Sequence, residues 1–353
     1  ARLHMGAAGG LEGRGGHLVN LGLDDEQRAL REVFADLFAK EAAPARVRAA
    51  EPLGHDDALW THMISTGALG VGVAESAGGG GGGLLELALI AEEAGRRVAP
   101  VSFAEPAAAA RLLAGCNAGG LLGAALDGSL LVSLATRPAP WHQQLLTDGA
   151  VADVVVALDG DNVVAVQRPT DVRAVRNMSS LPIARWSAAA RVEVLASGTE
   201  AVDSYRRALD DVRVMRAAAL VGLANEAIEI GAAYAKKRRA FGVPIGTYQG
   251  VAHPLADAVV TADGAQLLVW KACWALDARE PQGPALASMA IVFAGQTALH
   301  AAQHSLHIHG GYGFMAEYDI QLYYRRAKGW LTTFTDPRRE LLVLADRRFG
   351  PAA

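Results

Sequence analysis

Apolar positions recur every three to four residues from Leu23 to about Leu126. Leu30, Val33, Phe34, Leu37 and Phe38 share one face, which predicts an amphipathic helix. Asp24 stands where an N-cap belongs, with Gln27 three residues on as a capping box, and the stop is expected near Ala43-Pro44. A second helix is expected over residues 84–97, with Pro100 beyond its end. From about residue 130 to 197 the period shortens. Runs rich in β-branched residues fall at 130–134, 151–158, 162–166, 172–175 and 190–195, with turn residues such as Asp159-Gly160-Asp161-Asn162 between them. They predict a small antiparallel sheet or barrel. From about Thr199 to Phe349 the helical period returns in long stretches rich in alanine and leucine, joined by short loops, as in an antiparallel bundle. The expected class is α+β multidomain. It comprises an N-terminal helical domain (21–128), a small barrel-like middle β-domain (129–198) and a C-terminal four-helix bundle (199–353), with residues 1–20 a disordered or tag-like N-terminus.

Composition narrows the function classes. The 353 residues are 51% apolar and 20% charged, as in an ordinary globular chain. Net charge is −4, so no basic footprint points to nucleic acid. Cys116 and Cys273 are the only cysteines and have no metal-ligand spacing, so no metal site is expected and a reducing, cytoplasmic setting is. No uninterrupted apolar run of about 18 residues reads as a membrane span. The glycine run 78–83 is by composition a flexible loop.

Candidate chemistry begins at Tyr234, Arg238 and Phe241. Their spacing puts them on one helix face, with Gly242 as the residue after the helix end and Pro244 blocking continuation. A planar guanidinium at the last turn suits a diphosphate, and the alternative is a solvated Lys-Lys-Arg-Arg surface. With Thr247 as N-cap of the next helix, Pro254 would fall inside it and distort the backbone near Gln249.

Three segments together resemble the acyl-CoA dehydrogenase family. The first runs from Trp60 to Glu75, continues into the glycine loop and ends on Glu92-Glu93-Ala94-Gly95-Arg96; Ala74 replaces the family's usual proline. The second is Tyr234-Ala-Lys-Lys-Arg238-Arg-Ala-Phe241-Gly242, then Tyr248-Gln249 and His253-Pro-Leu-Ala-Asp257. The third is His307-Ile-His-Gly310-Gly311-Tyr-Gly313-Phe314, then Glu317 and Tyr324-Arg325-Arg326-Ala327. The helical, β, helical order fits the family's three domains over nearly the whole chain.

The resemblance implies an FAD-dependent α,β-desaturation of an acyl thioester carried on CoA or an acyl-carrier protein, with an electron-transfer acceptor. It implies a homodimer, homotetramer or heterotetramer in which Arg238, Phe241, Gln249, His307, Gly310 and Gly311 meet FAD, much of it bound by a neighbouring subunit. His307 replaces the family's glutamine, and Gly310, Gly311 and Gly313 have the alternative of a tight helix junction. Asp210 and Arg213 match a pattern that borders the acyl-CoA site.

The carboxylate base is missing from this pattern. The usual position, counted from Arg325, is Phe334, which cannot take a proton, and the alternative position on the first C-terminal helix is Val212. Asp210 and Asp211 flank that register as weak substitutes. Asp336 reads as a turn residue and Glu317 as structural. The flavin-contacting stretch of the family's middle domain is also eroded, at Thr136-Arg137-Pro138-Ala-Pro140. Three expectations follow: an enzyme with an unusual base, a base-deficient subunit that lends cofactor contacts to a homologous partner, or a non-enzymatic member of the fold.

Overall fold

The computed structural model describes residues 21–350 except 52, 117, 138–141, 143–144 and 187–190. The tag-like segment 1–20, the Pro138-to-Pro140 part of the eroded stretch and the first residue of the 190–195 run lie outside the described residues. The N-terminal layer holds α1 (Asp25–Glu41), α2 (Pro44–Ala50), α3 (Asp57–Ser65), α4 (Leu84–Arg96), α5 (Ala104–Gly115) and α6 (Gly119–Leu126). Asp24 caps α1: its carboxylate accepts from the Gln27 amide N–H at 2.8 Å while the Gln27 side chain accepts from the Asp24 N–H at 3.1 Å. α2 opens on Pro44, whose missing N–H costs nothing at a first helical position.

The middle region forms one four-stranded sheet in the order β1 (Val132–Leu134), β2 (Val154–Asp159), β3 (Asn162–Gln167), β4 (Val192–Ser197). Two differences from expectation stand out. β1 and β2 pair in parallel, with Val132 beside Val154, so the sheet is mixed and not purely antiparallel. The segment between them travels through a buried stretch at Leu146–Asp148, too long for a hairpin. Residues 172–175 do not form a strand; Ala174 makes a single bridge to Ala184. The turn between β2 and β3 is as read, with Gly160 at φ +59°.

The C-terminal bundle consists of α7 (Thr199–Lys237), α8 (Gln249–Asp277), α9 (Gly283–Ile308) and α10 (Ile320–Phe334), with α11 (Pro337–Phe349) laid on α9. α9 is apolar and long enough to cross a membrane, with mean hydropathy 1.4 over its best window. That window is 72% buried against neighbouring helices, so it is the core helix of the bundle. Between α7 and α8 lies a minimal hairpin, β5 (Arg239–Ala240) with β6 (Val243–Pro244). α8 begins at Gln249 with Tyr248 as its N-cap, one residue later than the Thr247 cap would place it, and Pro254 lies within it.

Glycine sets the distance between the N-terminal layer and the bundle. A Cβ on Gly95 would lie 1.9 Å from the Ala219 carbonyl oxygen, and one on Gly222 would lie 1.8 Å from the Glu92 carbonyl oxygen. α4 and α7 therefore cross backbone against backbone. The β-region is tied to the bundle by polar contacts: Tyr205 donates its hydroxyl to the Ala135 carbonyl, Arg137 Nη2 donates to the Thr333 carbonyl at 2.7 Å, and Trp330 Nε1 to the Ser179 carbonyl at 3.0 Å.

Candidate functional site

Phe334 ends α10 and is 5% exposed. Its ring lies against two guanidiniums one turn apart on α7: Arg213 Cζ is 5.7 Å and Arg216 Cζ 5.6 Å from the ring centroid. Each arginine is in turn held by acids. Arg213 donates from Nε to Glu340 at 2.8 Å and from Nη1 to Asp210 at 2.9 Å. Arg347 donates to the same Asp210 oxygen at 2.8 Å, and Ser288 to Glu340 at 2.7 Å. Arg216 donates from Nε to Glu105 Oε1 at 2.7 Å and again from Nη2.

The acids respond differently. Burial raises the Asp210 carboxyl, outweighing Arg347 and Arg213. Burial also raises Glu105 against the pull of Arg216. For Glu340, burial is outweighed by Arg213 and by the hydroxyls of Ser288 and Thr335, which hold it below the ordinary range. Every carboxylate in this shell is thus committed to an arginine. Val212 is fully buried and inert.

Asp211 points into a different cluster. Arg111 of α5 donates to it from Nε at 2.9 Å, and also to Asp277 at 3.0 Å and the Gly72 carbonyl at 3.0 Å. Burial, with Asp277 and Asp210 nearby, outweighs Arg111 and lifts Asp211 from 3.8 to about 6. That value suits a base, but the carboxylate serves as a latch between α5, α7 and α8. Asp336 caps α11 by accepting from the Arg338 N–H at 2.9 Å, the turn role read for it. Glu317 is exposed, and its carbonyl accepts from Arg48 at 3.2 Å.

The six residues read as cofactor contacts converge on one end of the bundle, where α7 ends, α8 begins and α9 ends. Tyr234 of α7 stacks on His309 just past α9 with centroids 4.0 Å apart, which ties these ends together. The single-face reading of Tyr234, Arg238 and Phe241 needs correction. α7 stops at Lys237; Arg238 is its C-cap in extended backbone, and Phe241 sits in the β5–β6 turn at φ +51°. Gly242, at φ +86°, serves that turn and not the helix end.

Phe241 is 96% exposed. Among the described residues the side chains of Arg238, Gln249 and His307 have no hydrogen-bond partner, which leaves their donors unspent. Gln249 also opens α8, so the positive end of that helix lies beside it. The glycines divide by role. A Cβ on Gly313 would meet the Leu306 carbonyl at 2.5 Å, the tight junction considered above, whereas Gly310 (φ +60°) and Gly311 have open space around them. Open glycine backbone, a free guanidinium and a helix N-terminus are the donor set that a diphosphate accepts.

A third feature had no motif to announce it. A cleft of about 70 Å³ opens between α4, α5 and α7, walled by Ala91, Ala94, Ala219 and Trp330 and broken by polar groups that include Glu105 and Arg216. Arg216 thus joins the cleft to Phe334. Asp210 and Arg213, read as substrate contacts, do not line it; they face α11. Glu105 is a lone charge inside an apolar helical run, which demands a buried partner but does not name one, whereas Arg216 is one of several charges that follow Asp210 and nothing in the sequence sets it apart.

Comparison with known proteins agrees with the fold. The model described as "Acyl-CoA dehydrogenase, N-terminal domain" matches residues 24–117, and "Acyl-CoA dehydrogenase, C-terminal domain" matches 202–332. Acyl-CoA dehydrogenase IpdE2 of Mycobacterium tuberculosis is 31% identical over 326 residues, covering 90% of this chain and 95% of that protein. A variant of the Tcur3481-Tcur3483 steroid ACAD superposes with TM-score 0.81 at 27% identity, over 93% of this chain and 98% of that one. The ChsE4-ChsE5 complex of M. tuberculosis superposes with TM-score 0.82 at 21% identity, over 95% of this chain and 100% of that one, a likeness of fold.

Proposed function

We propose that this chain, which belongs to the acyl-CoA dehydrogenase family, serves the α,β-desaturation of an acyl thioester as a base-deficient subunit. In this reading it lends cofactor contacts to a homologous partner that supplies the proton acceptor. The observation that carries the reading is the state of position 334. A phenylalanine there is wedged between Arg213 and Arg216, and the carboxylates around it are ion-paired. A positioned general base contributes about 10²–10⁴-fold, so its loss is not a minor defect. Two structural relatives are paired by name, as Tcur3481-Tcur3483 and as the ChsE4-ChsE5 complex, which supports a heteromeric assembly here.

FAD, when bound, accepts the hydride from the acyl chain. This chain's part is to grip it. Arg238 would pair with the diphosphate, Gln249 and the start of α8 would add donors, His307 would offer a ring nitrogen, and Gly310-Gly311 would let backbone approach closely. Phe241, almost fully exposed, gives an apolar cover that a second subunit would bury. CoA or an acyl-carrier protein carries the acyl group, an electron-transfer protein reoxidises the flavin, and the setting is cytoplasmic. A lone homo-oligomeric enzyme is favoured by one observation, the lift of Asp211 to about 6. Its bond to Arg111, which commits it as a latch between α5, α7 and α8, weighs against that role.

The visible spectrum separates the readings. The chain purified alone is expected to lack flavin and to reduce no dye with acyl-CoA; co-purified with a base-bearing homologue it should be yellow and active. A chain that is yellow and active alone overturns the proposal, and one without flavin in either state makes it a binding protein. In the yellow complex Arg238→Ala should weaken FAD retention at least tenfold, as expected for losing a charge-assisted pair. Unchanged flavin content would remove Arg238 from the site.

A further inference from the structure

The cleft beside Phe334 is more polar than an aliphatic acyl tail requires. Ser102, Glu105, Asp148, Ser180 and Arg216 all line it, and each is buried. Asp148 is held ready: Ser102 donates its hydroxyl to Oδ1 at 2.7 Å and Ser133 to Oδ2 at 2.5 Å. Arg216 spends Nε and Nη2 on Glu105, while Nη1 has no hydrogen bond among the described residues. His55, next to the cleft-lining Gly54, is buried with Nδ1 unpartnered. Two acids and one base leave the lining negative, which disfavours a carboxylate guest. A neutral oxygen fits: a ketone accepts from Arg216, and a hydroxyl also donates to Asp148 or Glu105.

We infer that this cleft binds a short acyl group bearing a neutral hydroxyl or ketone oxygen away from the thioester, and discriminates against the plain aliphatic chain. The inference rests on the reading above only in that the bound acyl group is held without turnover in this chain. The physical basis is desolvation. A methylene chain would cover Arg216 Nη1, the guanidinium nitrogen with no partner among the described residues, and give nothing back, and sites built for a hydrogen bond reject analogues that lack it. The apolar walls at Ala91, Ala94 and Ala219 accept the carbon skeleton of either ligand.

Calorimetric titration of the isolated full chain with hexanoyl-CoA, 5-oxohexanoyl-CoA and 5-hydroxyhexanoyl-CoA tests this. The two oxygenated probes should bind at least tenfold more tightly than hexanoyl-CoA. Arg216→Lys, which keeps the positive charge for Glu105 but loses the planar fork, should reduce the preference for the oxo probe below threefold. If that variant does not fold, Ser102→Ala, which leaves both ion-paired groups in place, should reduce the preference for the hydroxy probe. Equal affinities for all three probes, no binding of any, or a preference untouched in the folded variant would overturn the inference. None of these outcomes bears on whether the chain carries its own flavin, so the spectrum and the titration fail separately.

Discussion

Glu105→Leu is expected to cost the fold about 4 kcal/mol, the range found when one partner of a buried ion pair is removed. Glu105 is 3% exposed and Arg216 8%. With the carboxylate gone, Arg216 keeps, among the described residues, the face of Phe334, and a desolvated cation–π contact supplies about 2 kcal/mol, less than the ion pair it replaces. The desolvated guanidinium must then recruit water into the cleft or push α5 away from α7. The double variant Glu105→Leu with Arg216→Met should recover most of the loss, because two apolar groups of similar volume remove both desolvation costs at once. Urea titration reads both. A single variant within 1 kcal/mol of the parent, or a double variant no better than the single, would mean that the pair is solvated and does not hold α5 to α7.

This pair also marks the boundary of what the chain's one-dimensional pattern discloses. The capping box at Asp24 and Gln27, the stop of α1 near Ala43-Pro44 and the Gly160 turn were legible because each is a local signal within a few residues. The helical, β, helical order was legible because period and composition both change at its boundaries. Phe241 was misplaced because helical spacing was extended past Lys237; nothing in the period announces that Phe241 and Gly242 adopt positive φ and turn the chain back. The parallel pairing of β1 with β2 depends on a connection of irregular backbone that has no period at all.

The site shows the same division. Asp210, Arg213 and Phe334 were singled out because they sit at fixed distances from recognisable segments, and the fold gathers them in one shell. Glu105 comes from α5, Arg216 from α7 and Asp148 from a loop, so only the packing of three regions brings them to one cleft. The arginine partners that change what Asp210 and Asp211 can do were likewise invisible, since Arg347 and Arg111 lie 137 and 100 residues away in the chain.

Gly222→Ala should be comparably severe, at about 3 kcal/mol or more, for a purely steric reason. The added methyl would stand 1.8 Å from the Glu92 carbonyl oxygen and 2.8 Å from the Arg96 amide nitrogen, both backbone atoms that cannot rotate away. Overpacking of this kind typically costs about 1–3 kcal/mol where side chains give way. Here whole helices must separate, and α4 also carries Glu92 and Glu93, which bind Arg31 at 2.9 and 2.8 Å. Gly123→Ala in α6 is the matched comparison: nothing lies within 4 Å of its Cβ position, so alanine's better helix propensity should stabilise by about 0.5–1 kcal/mol. The two changes are chemically identical and opposite in expected sign, so generic tolerance to alanine cannot produce the result. A Gly222→Ala chain within 1 kcal/mol of the parent would mean that α4 and α7 do not cross in backbone contact. The cleft they wall would then have to be wider than its lining implies, and the selectivity assigned to Arg216 would lose its geometric footing.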